Sequence, residues 1–524
     1  MEKKWYNKCK EKAENLQKSL HLGDKMYKFS DNQLKFSDFG QPMGMKMSGD
    51  NRWVKKAELI PWDAIEKRYS KLFTNKKGNV AKALRLALGA LIIQTEYGYS
   101  DEETALQIQE AAYLQFFCGY REYDDSKPPF DASTMVYFRK RLTPEILGEI
   151  NEFIIKKASE PKRASVKEET EHCKTDTEEN DDKHDEPKPP SNSGTLIVDA
   201  TCAPSNIEYP QDTALLNEGR EKLEKIIDEL YDPKNGKKPR TYRKQAHKDY
   251  LKTARKRRKS AKDIRKAVGK QLRYIKRDFG YIDRMLKQGK TLSPKQENRL
   301  QVLRTLYEQQ LTMHQNKSHQ IADRIVSISQ PWLRPIVRGK TNAPVEFGAK
   351  LDISVSNGFV RLERQSFDAY NEAEYLQDVI ERYKARTGSY PECVLADKIY
   401  RNRKNLGYCK EHGIRLSGPA LGRPSKDAIV NKKQAYKDNC DRVEVERAFS
   451  LAKGKYGLGL IRARLKETTQ SAIALSILAL NLERIWCAFW QLLYRLFLST
   501  LNLSFLKNFS LFSRHYLPFI FPNS

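Results

Sequence analysis

Two short stretches decide the fold: residues 195–199 read TLIVD, and residues 393–397 read CVLAD. In each, three or four apolar residues precede an aspartate. Such runs are typical of strands buried on both faces of an α/β sheet, where ligands bind at the carboxyl ends of the strands. Asp199 and Asp397 are therefore candidates to share a divalent cation. The alternative for each is an aspartate that only caps the turn after its strand.

Further strand and helix signals surround the second aspartate. Residues 345–355 alternate, Asn357 and Gly358 form a strong hairpin-turn pair, and Phe359 begins a return strand. Helices are predicted at residues 371–386, 402–412, 441–455 and 468–484, with a short strand at 414–417. This order predicts an α/β layered domain with a mixed sheet.

Residues 215–330 read as a helical insertion. One apolar stripe recurs in steps of three and four at Ile264, Val268, Leu272, Ile275, Phe279, Ile282 and Leu286. Gly289 ends that helix, and Ser293 with Gln296 starts another by the capping-box pattern. The first arm is densely basic (KTARKRRKSAKDIRK). We therefore expect a helical hairpin with a cationic flank that contacts DNA through Lys256, Arg257, Arg258 and Lys259.

The N-terminal part, residues 1–157, reads as mostly helical. Ser100 opens a capping box with Glu103, and Pro144 opens another helix. Residues 133–142 (STMVYFRKRL) place Arg139, Lys140 and Arg141 beside aromatic residues. That helix either presents cations to DNA or is a solvated face.

Composition indicates a linker, a C-terminal tail and the kind of partner that the protein binds. Residues 158–193 are charged and proline-rich, which predicts a disordered linker, and residues 486–524 form an apolar tail whose basic residues interrupt any membrane span. The formal charge of +28 favours a nucleic-acid partner, since such a surplus costs self-repulsion; a basic protein kept soluble by its charge is the alternative. The eight cysteines form no CxxC pair, which argues against structural zinc and for a reducing cytoplasm.

A third acidic candidate lies in the helix predicted at 441–455. Arg442, Glu446, Phe449 and Lys453 follow at offsets of four, three and four, so they share one helical face. A carboxylate and two cations would then project together. The alternative is an exposed Arg–Glu pair that only stabilises the helix slightly.

Five ordered segments together resemble the catalytic domain of DDE transposases of bacterial insertion sequences. They are LIVDATCAPSNIEYPQD (196–212), PIVRGKTNAPVEFGAKLDISV (335–355), VLADKIYRNRKN (394–405), GIRLSGPALGRP (413–424) and RVEVERAFSLAKGKYGLGLIRARLKET (442–468). The most similar branch is the IS-eleven-eighty-two-like group of the IS-five superfamily. Residues 51–155 resemble the amino-terminal domain of that group less specifically.

The resemblance implies a ribonuclease-H-like catalytic domain made of residues 194–214 and 331–485. It implies Asp199, Asp397 and Glu446 as the catalytic carboxylates, which would bind two Mg²⁺ or Mn²⁺ ions. The family signature of tyrosine, arginine, glutamate and lysine falls on Arg442, Glu446 and Lys453, with Asn439 at the tyrosine position.

The expected function is therefore that of a transposase, a cytoplasmic, nucleoid-associated enzyme without a membrane role. It would bind terminal inverted repeats and target DNA as a homodimer or a larger assembly, with Arg442 and Lys453 holding phosphates. A catalytically inactive or repurposed DNA-binding derivative is the alternative. An RNA-binding protein with basic helical arms is a third reading, and it lacks the signatures of RNA-binding modules.

Overall fold

The computed structural model describes residues 27, 29, 34–73, 80–159, 192–233, 236–337, 345–419, 421 and 432–500, with side chains as far as residue 488. The chain divides into two compact units, residues 1–182 with 477–524, and residues 183–476. Most of the predicted linker, residues 160–191, and the tail after residue 500 lie outside the described residues.

The first unit is helical, as the sequence predicts. Its helices in the described N-terminal region are α1 (Arg52–Leu59), α2 (Trp62–Ser70), α3 (Leu84–Tyr97), α4 (Asp101–Glu110), α5 (Ala112–Phe117), α6 (Thr134–Arg141) and α7 (Pro144–Ser159). The Ser100 side chain accepts a hydrogen bond from the Glu103 N–H and caps α4. Every residue of α3 from Leu84 to Ile93 is buried, so this helix forms the centre of the unit.

The second unit is built on a mixed sheet. Its strands are β1 (Thr195–Pro204), β2 (Arg334–Val337), β3 (Val345–Ser356), β4 (Phe359–Ser366), β5 (Cys393–Ala396) and β6 (Arg415–Leu416). The spatial order is β2-β3-β1-β5-β6, and β4 also pairs with β3. β3 is antiparallel to β1, β2 and β4, whereas β5 is parallel to both β1 and β6.

Two local features hold the antiparallel part of the sheet in register. Asn357 and Gly358 both have positive φ, as the predicted two-residue hairpin turn between β3 and β4 requires. A β-carbon at Gly348 would collide with the carbonyl oxygen of Ala203, so β1 and β3 approach closely only because residue 348 is glycine.

The described residues of the insertion between β1 and β2 form four helices rather than the expected pair. They are α8 (Asp212–Leu230), α9 (Arg243–Ala254), α10 (Ala261–Lys287) and α11 (Pro294–Asn316). The predicted stripe of α10 packs with α8 and α11 in one core, and Ser293 caps α11 with the predicted capping box. α8 was not predicted as a separate element, although its buried leucines and isoleucines belong to the same core.

Four more helices complete the described fold: α12 (Leu376–Thr387), α13 (Arg403–Glu411), α14 (Lys432–Lys455) and α15 (Lys466–Thr500). α12 and α13 pack on one face of β1 and β5, where Leu196, Val198, Val394 and Ala396 belong to a single buried cluster. α14 contacts β1, β3 and β5. The segment Lys466–Ala488 is apolar and long enough to cross a membrane by length and composition alone, but 61% of its most apolar window is buried inside the protein, as in a core helix.

Candidate active site

Asp199 and Asp397 lie next to each other across two parallel strands. The β1–β5 register pairs Ile197 with Leu395 and Val198 with Ala396, and the two aspartates directly follow this last pair. Neighbouring strands are about 5 Å apart, and opposed residues of a parallel pair point to the same face. Because Val198 and Ala396 face the cluster under α12 and α13, the two aspartates point to the other face.

The helix that covers this other face is α14. Its buried residues Val445, Ala448 and Ala452 line the side toward the sheet. Arg442 lies 3.4 Å from a carboxylate oxygen of Asp397, between Nη1 and Oδ1. The helix predicted from the arginine–glutamate–lysine pattern therefore meets the sheet beside the strand-end aspartates.

Asp397 also caps the turn that follows its strand. Its carboxylate accepts a hydrogen bond of 2.7 Å from the Lys398 N–H at the start of the 3-10 turn Lys398–Tyr400. Asp199 accepts a local hydrogen bond of 2.8 Å from the Ala200 N–H. Asp397 thus caps the turn, but capping does not use the whole carboxylate, which is 54% exposed and also reaches Arg442.

Glu446 and Lys453 lie at the rim of α14. Glu446 is exposed and Lys453 is half-buried, four and eleven residues after Arg442. At 3.6 residues per turn these positions stay beside the buried stripe of the helix, on the side that carries Arg442. The three signature residues therefore share one edge of the helix that covers the two aspartates.

The donor set suits a hard divalent cation. Asp199 and Asp397 supply carboxylate oxygens, the ligands that Mg²⁺ prefers. Within the described part of the chain, no three His, Cys, Asp or Glu side chains lie close enough together to hold a metal ion. The two aspartates supply the oxygen donors that such a cation requires, whereas Glu446 does not join them in the arrangement seen.

The basic residues predicted to contact DNA have different surroundings. Arg139 is only 13% exposed; it donates to both carboxylate oxygens of Asp101, at 2.9 and 2.6 Å, and to Gln94. Burial alone would raise the pKa of Asp101, but the hydrogen bonds from Arg139 and Gln94 outweigh it and lower that pKa. Arg141 lies over the ring of Phe73, and Lys140 is exposed.

The predicted cluster of the insertion lies in the connection between α9 and α10. Arg257 and Arg258 are exposed, and Lys259 is half-buried. Lys256 forms an ion pair of 3.2 Å with Asp263 in the first turn of α10. Part of this cluster is therefore already neutralised inside the insertion.

A further buried acidic residue, which was not predicted from the sequence, lies on the strand next to β1 and on the opposite face of the sheet from Asp199. Asp352 of β3 is opposite Ala200 and is 2% exposed. Burial raises its pKa to about 6, although the positive charges of Lys350 and Arg364 act in the opposite direction. The signal was present in the segment LDISV, where an aspartate lies between the apolar residues Leu351 and Ile353 of a strand.

Two family comparisons bear on these regions. Residues 394–483, which include Asp397, Arg442, Glu446 and Lys453, match the family described as "Transposase DDE domain". Residues 43–141, which include α1 to α6, match the family described as "Transposase domain (DUF772)". Asp199 lies outside both matches.

A curated protein of Rhizobium meliloti, "Uncharacterized protein ORF8 in nfe locus", is 37% identical to this chain over 97 residues. The aligned residues are 18% of this chain and 46% of that protein, so the chain spans about half the length of the relative. No solved structure matches the chain. Two regions of the chain therefore match transposase families, one of them a DDE domain, and these matches confirm the resemblance to DDE transposases.

Proposed function

We propose that this protein mobilises an insertion sequence by binding its terminal inverted repeats, cleaving phosphodiester bonds at its ends and joining the freed 3′-hydroxyls to target DNA. The observation that carries the proposal is that Asp199 and Asp397 directly follow the last pair of the β1–β5 ladder, under the helix of Glu446. The transposase DDE match over residues 394–483 supports the same chemistry.

We also propose that the catalytic domain is ribonuclease-H-like. Support comes from the mixed sheet, in which the antiparallel strands β1, β3 and β4 lie on one side and the parallel strands β5 and β6 on the other. The helical insertion follows the first acidic strand directly. The sheet thus brings together two aspartates that are far apart in sequence.

In this proposal Asp199, Asp397 and Glu446 would hold two Mg²⁺ or Mn²⁺ ions. When bound, such ions supply Lewis-acid activation of water or of a 3′-hydroxyl and stabilise the leaving oxygen. Glu446 is exposed at the helix rim, so its side chain is free to turn toward the aspartates as the site fills.

The basic residues of α14 would position the DNA. Arg442 already contacts Asp397, so its guanidinium is within reach of a phosphate held at the aspartates. Lys453 lies two helical turns beyond Glu446 on the same edge and would contact a neighbouring phosphate. These contacts would align the scissile bond with the carboxylates.

The remaining basic residues would contact the phosphates of DNA outside the active site. The formal charge of +28 is consistent with extensive contacts to the phosphates of terminal repeats and target DNA. We propose that the helical N-terminal region and the insertion provide most of them. The protein would act on the nucleoid as a dimer or a larger assembly that holds both ends of the element.

A catalytically inactive DNA-binding derivative is the second candidate. One observation favours it: Glu446 does not lie with the two aspartates in a group of three possible metal ligands. Such a derivative would keep the positive charge and the binding of DNA, but it would not cut.

The deciding experiment incubates the full-length protein with an end-labelled duplex that carries one end of the element and its flanking DNA. The proposal expects a nick at the element boundary with Mg²⁺ and none with EDTA or with Asp199→Asn. Binding of the duplex without a nick in Mg²⁺ or Mn²⁺ would establish the inactive derivative instead.

A further inference from the structure

An open groove of about 710 Å³ lies on the insertion, between the antiparallel helices α10 and α11. Five basic residues of α10 line it: Lys262, Arg265, Lys266, Arg273 and Lys276. No aspartate or glutamate is among the described residues that line it. The groove is therefore bordered by charge of one sign.

The five basic residues form a straight row. Their offsets from Lys262 are three, four, eleven and fourteen residues, which keeps them on one side of an α-helix. The opposite side of α10 carries the buried stripe that includes Val268 and Ile275. Packing of the insertion core thus fixes the direction in which the row points.

The row also differs from its neighbours in being unpaired. Among the described residues, none of its five members takes part in an ion pair, and all five are exposed. Lys270 on the same helix, by contrast, pairs with Asp249 at 3.0 Å. A row of uncompensated cations on one face costs self-repulsion, and an anionic partner removes that cost.

The shape of the groove suits a long, regular polyanion. Fourteen residues of α-helix span about 21 Å, the length of roughly six base-pair steps of duplex DNA. Leu272 and Leu311 form part of the floor, and the ring of Tyr307 is held edge-on by Phe279 with 5.7 Å between the ring centroids. A rigid floor keeps the row of cations straight.

We propose that this groove binds the sugar-phosphate backbone of duplex DNA. The site shares no residue with the carboxylates of the candidate active site, nor with the cluster at residues 256–259. The identification of the polyanion as DNA rests on the proposed function. The insertion would then hold the DNA through phosphates, independently of base sequence, while cleavage takes place elsewhere in the same unit.

The experiment measures the affinity of the full-length protein for a 30-base-pair duplex of arbitrary sequence, in EDTA, at several salt concentrations. The groove variant combines Arg265→Gln, Lys266→Gln, Arg273→Gln and Lys276→Gln. The matched control removes the same charge outside the groove, with Lys225→Gln, Lys287→Gln, Lys295→Gln and Arg299→Gln. Circular dichroism and the melting temperature verify that both variants fold.

We expect the log–log salt slope of the groove variant to fall by about 3 to 4, since each lost phosphate contact removes about 0.9. The control is expected to change it by less than 1. Equal changes in the two variants would overturn the proposal, because only net charge would then matter. A larger loss of binding for the matching single strand than for the duplex would also overturn it.

Failure of this inference is distinguishable from failure of the proposed function. Because EDTA prevents cleavage, the binding assay reports on the groove alone. Wild-type protein that cuts an element end in Mg²⁺ while the groove variant keeps its salt slope would refute the groove only. A lowered slope in a protein that never cuts would refute the proposed function only.

Discussion

Asp199 and Asp397, which are separated by the whole helical insertion in sequence, directly follow Val198 and Ala396, the last pair of the parallel β1–β5 ladder. The hydrogen bond from Arg442 to Asp397 brings α14 to the same place. Two carboxylates held this close repel each other when both are ionised, and a nearby cation offsets that repulsion. The arginine supplies part of this compensation, and the remainder is available to a bound metal ion.

The first prediction concerns the three carboxylates. Asp199→Asn, Asp397→Asn and Glu446→Gln should each leave no detectable cleavage product, because each removes one charged oxygen ligand. Binding of the element end in EDTA should stay within about threefold of wild type, since most affinity comes from phosphate contacts elsewhere. Asp441→Asn, an exposed change on the same helix, serves as the control. Normal cleavage by any of the three variants would exclude that residue from the site.

The second prediction separates stability from DNA binding in α6. Arg139→Ala should lower the free energy of unfolding by about 1–3 kcal/mol, because it leaves the half-buried carboxylate of Asp101 without its charged partner. Lys140→Ala, one residue later and exposed, should change it by less than about 0.5 kcal/mol. Urea unfolding and duplex binding in EDTA measure the two effects. If the Arg139→Ala protein is as stable as wild type but binds DNA more weakly, the result would support the DNA contact predicted from the sequence.

Local sequence predicted the elements of the site well, because the apolar runs before Asp199 and Asp397 are strong strand signals. It could not predict the partners of charged side chains. Arg139 looked like a surface cation until the fold brought Asp101 to it, from 38 residues away. The helix α14 also begins earlier in the chain than the predicted residue 441. The residues before 441 carry little apolar pattern, but the helix begins at Lys432. Asp438, in this early part of the helix, forms a bidentate ion pair with Arg415 of β6, at 2.6 and 2.9 Å.

The third prediction follows from a buried carboxyl of the insertion. Asp278 is fully buried, and burial raises its pKa to about 7 although Arg277 is close by. Its unfolded pKa is near 3.8, so the folded state holds a proton that the unfolded chain has released between about pH 4 and 7. Its contribution to stability is therefore complete below about pH 4 and is lost as the pH rises through about 7.

Asp278→Asn should remove this pH dependence. Between pH 5 and pH 8 the wild type should lose roughly 2–4 kcal/mol more unfolding free energy than the variant, given about 1.4 kcal/mol for each unit of pKa shift. Urea titrations at the two pH values measure the difference. Parallel pH profiles for the two proteins would show that Asp278 titrates alike in the folded and unfolded chains.

The last prediction concerns Lys453, seven residues after Glu446 on the same edge of α14. If its ammonium holds a phosphate beside the carboxylates, Lys453→Ala should slow cleavage tenfold or more, which corresponds to about 1.4 kcal/mol of transition-state stabilisation. Lys453→Arg should recover only part of the rate, because a planar guanidinium does not reproduce a compact point charge. Lys433→Ala, an exposed change in the first turn of α14, is the matched control and should cut at the wild-type rate. Single-turnover cleavage of an element end at saturating Mg²⁺ compares the four proteins, and urea unfolding verifies that the stability of each is retained. Equal rates in all four would reduce Lys453 to a structural residue of the helix and leave phosphate positioning to Arg442.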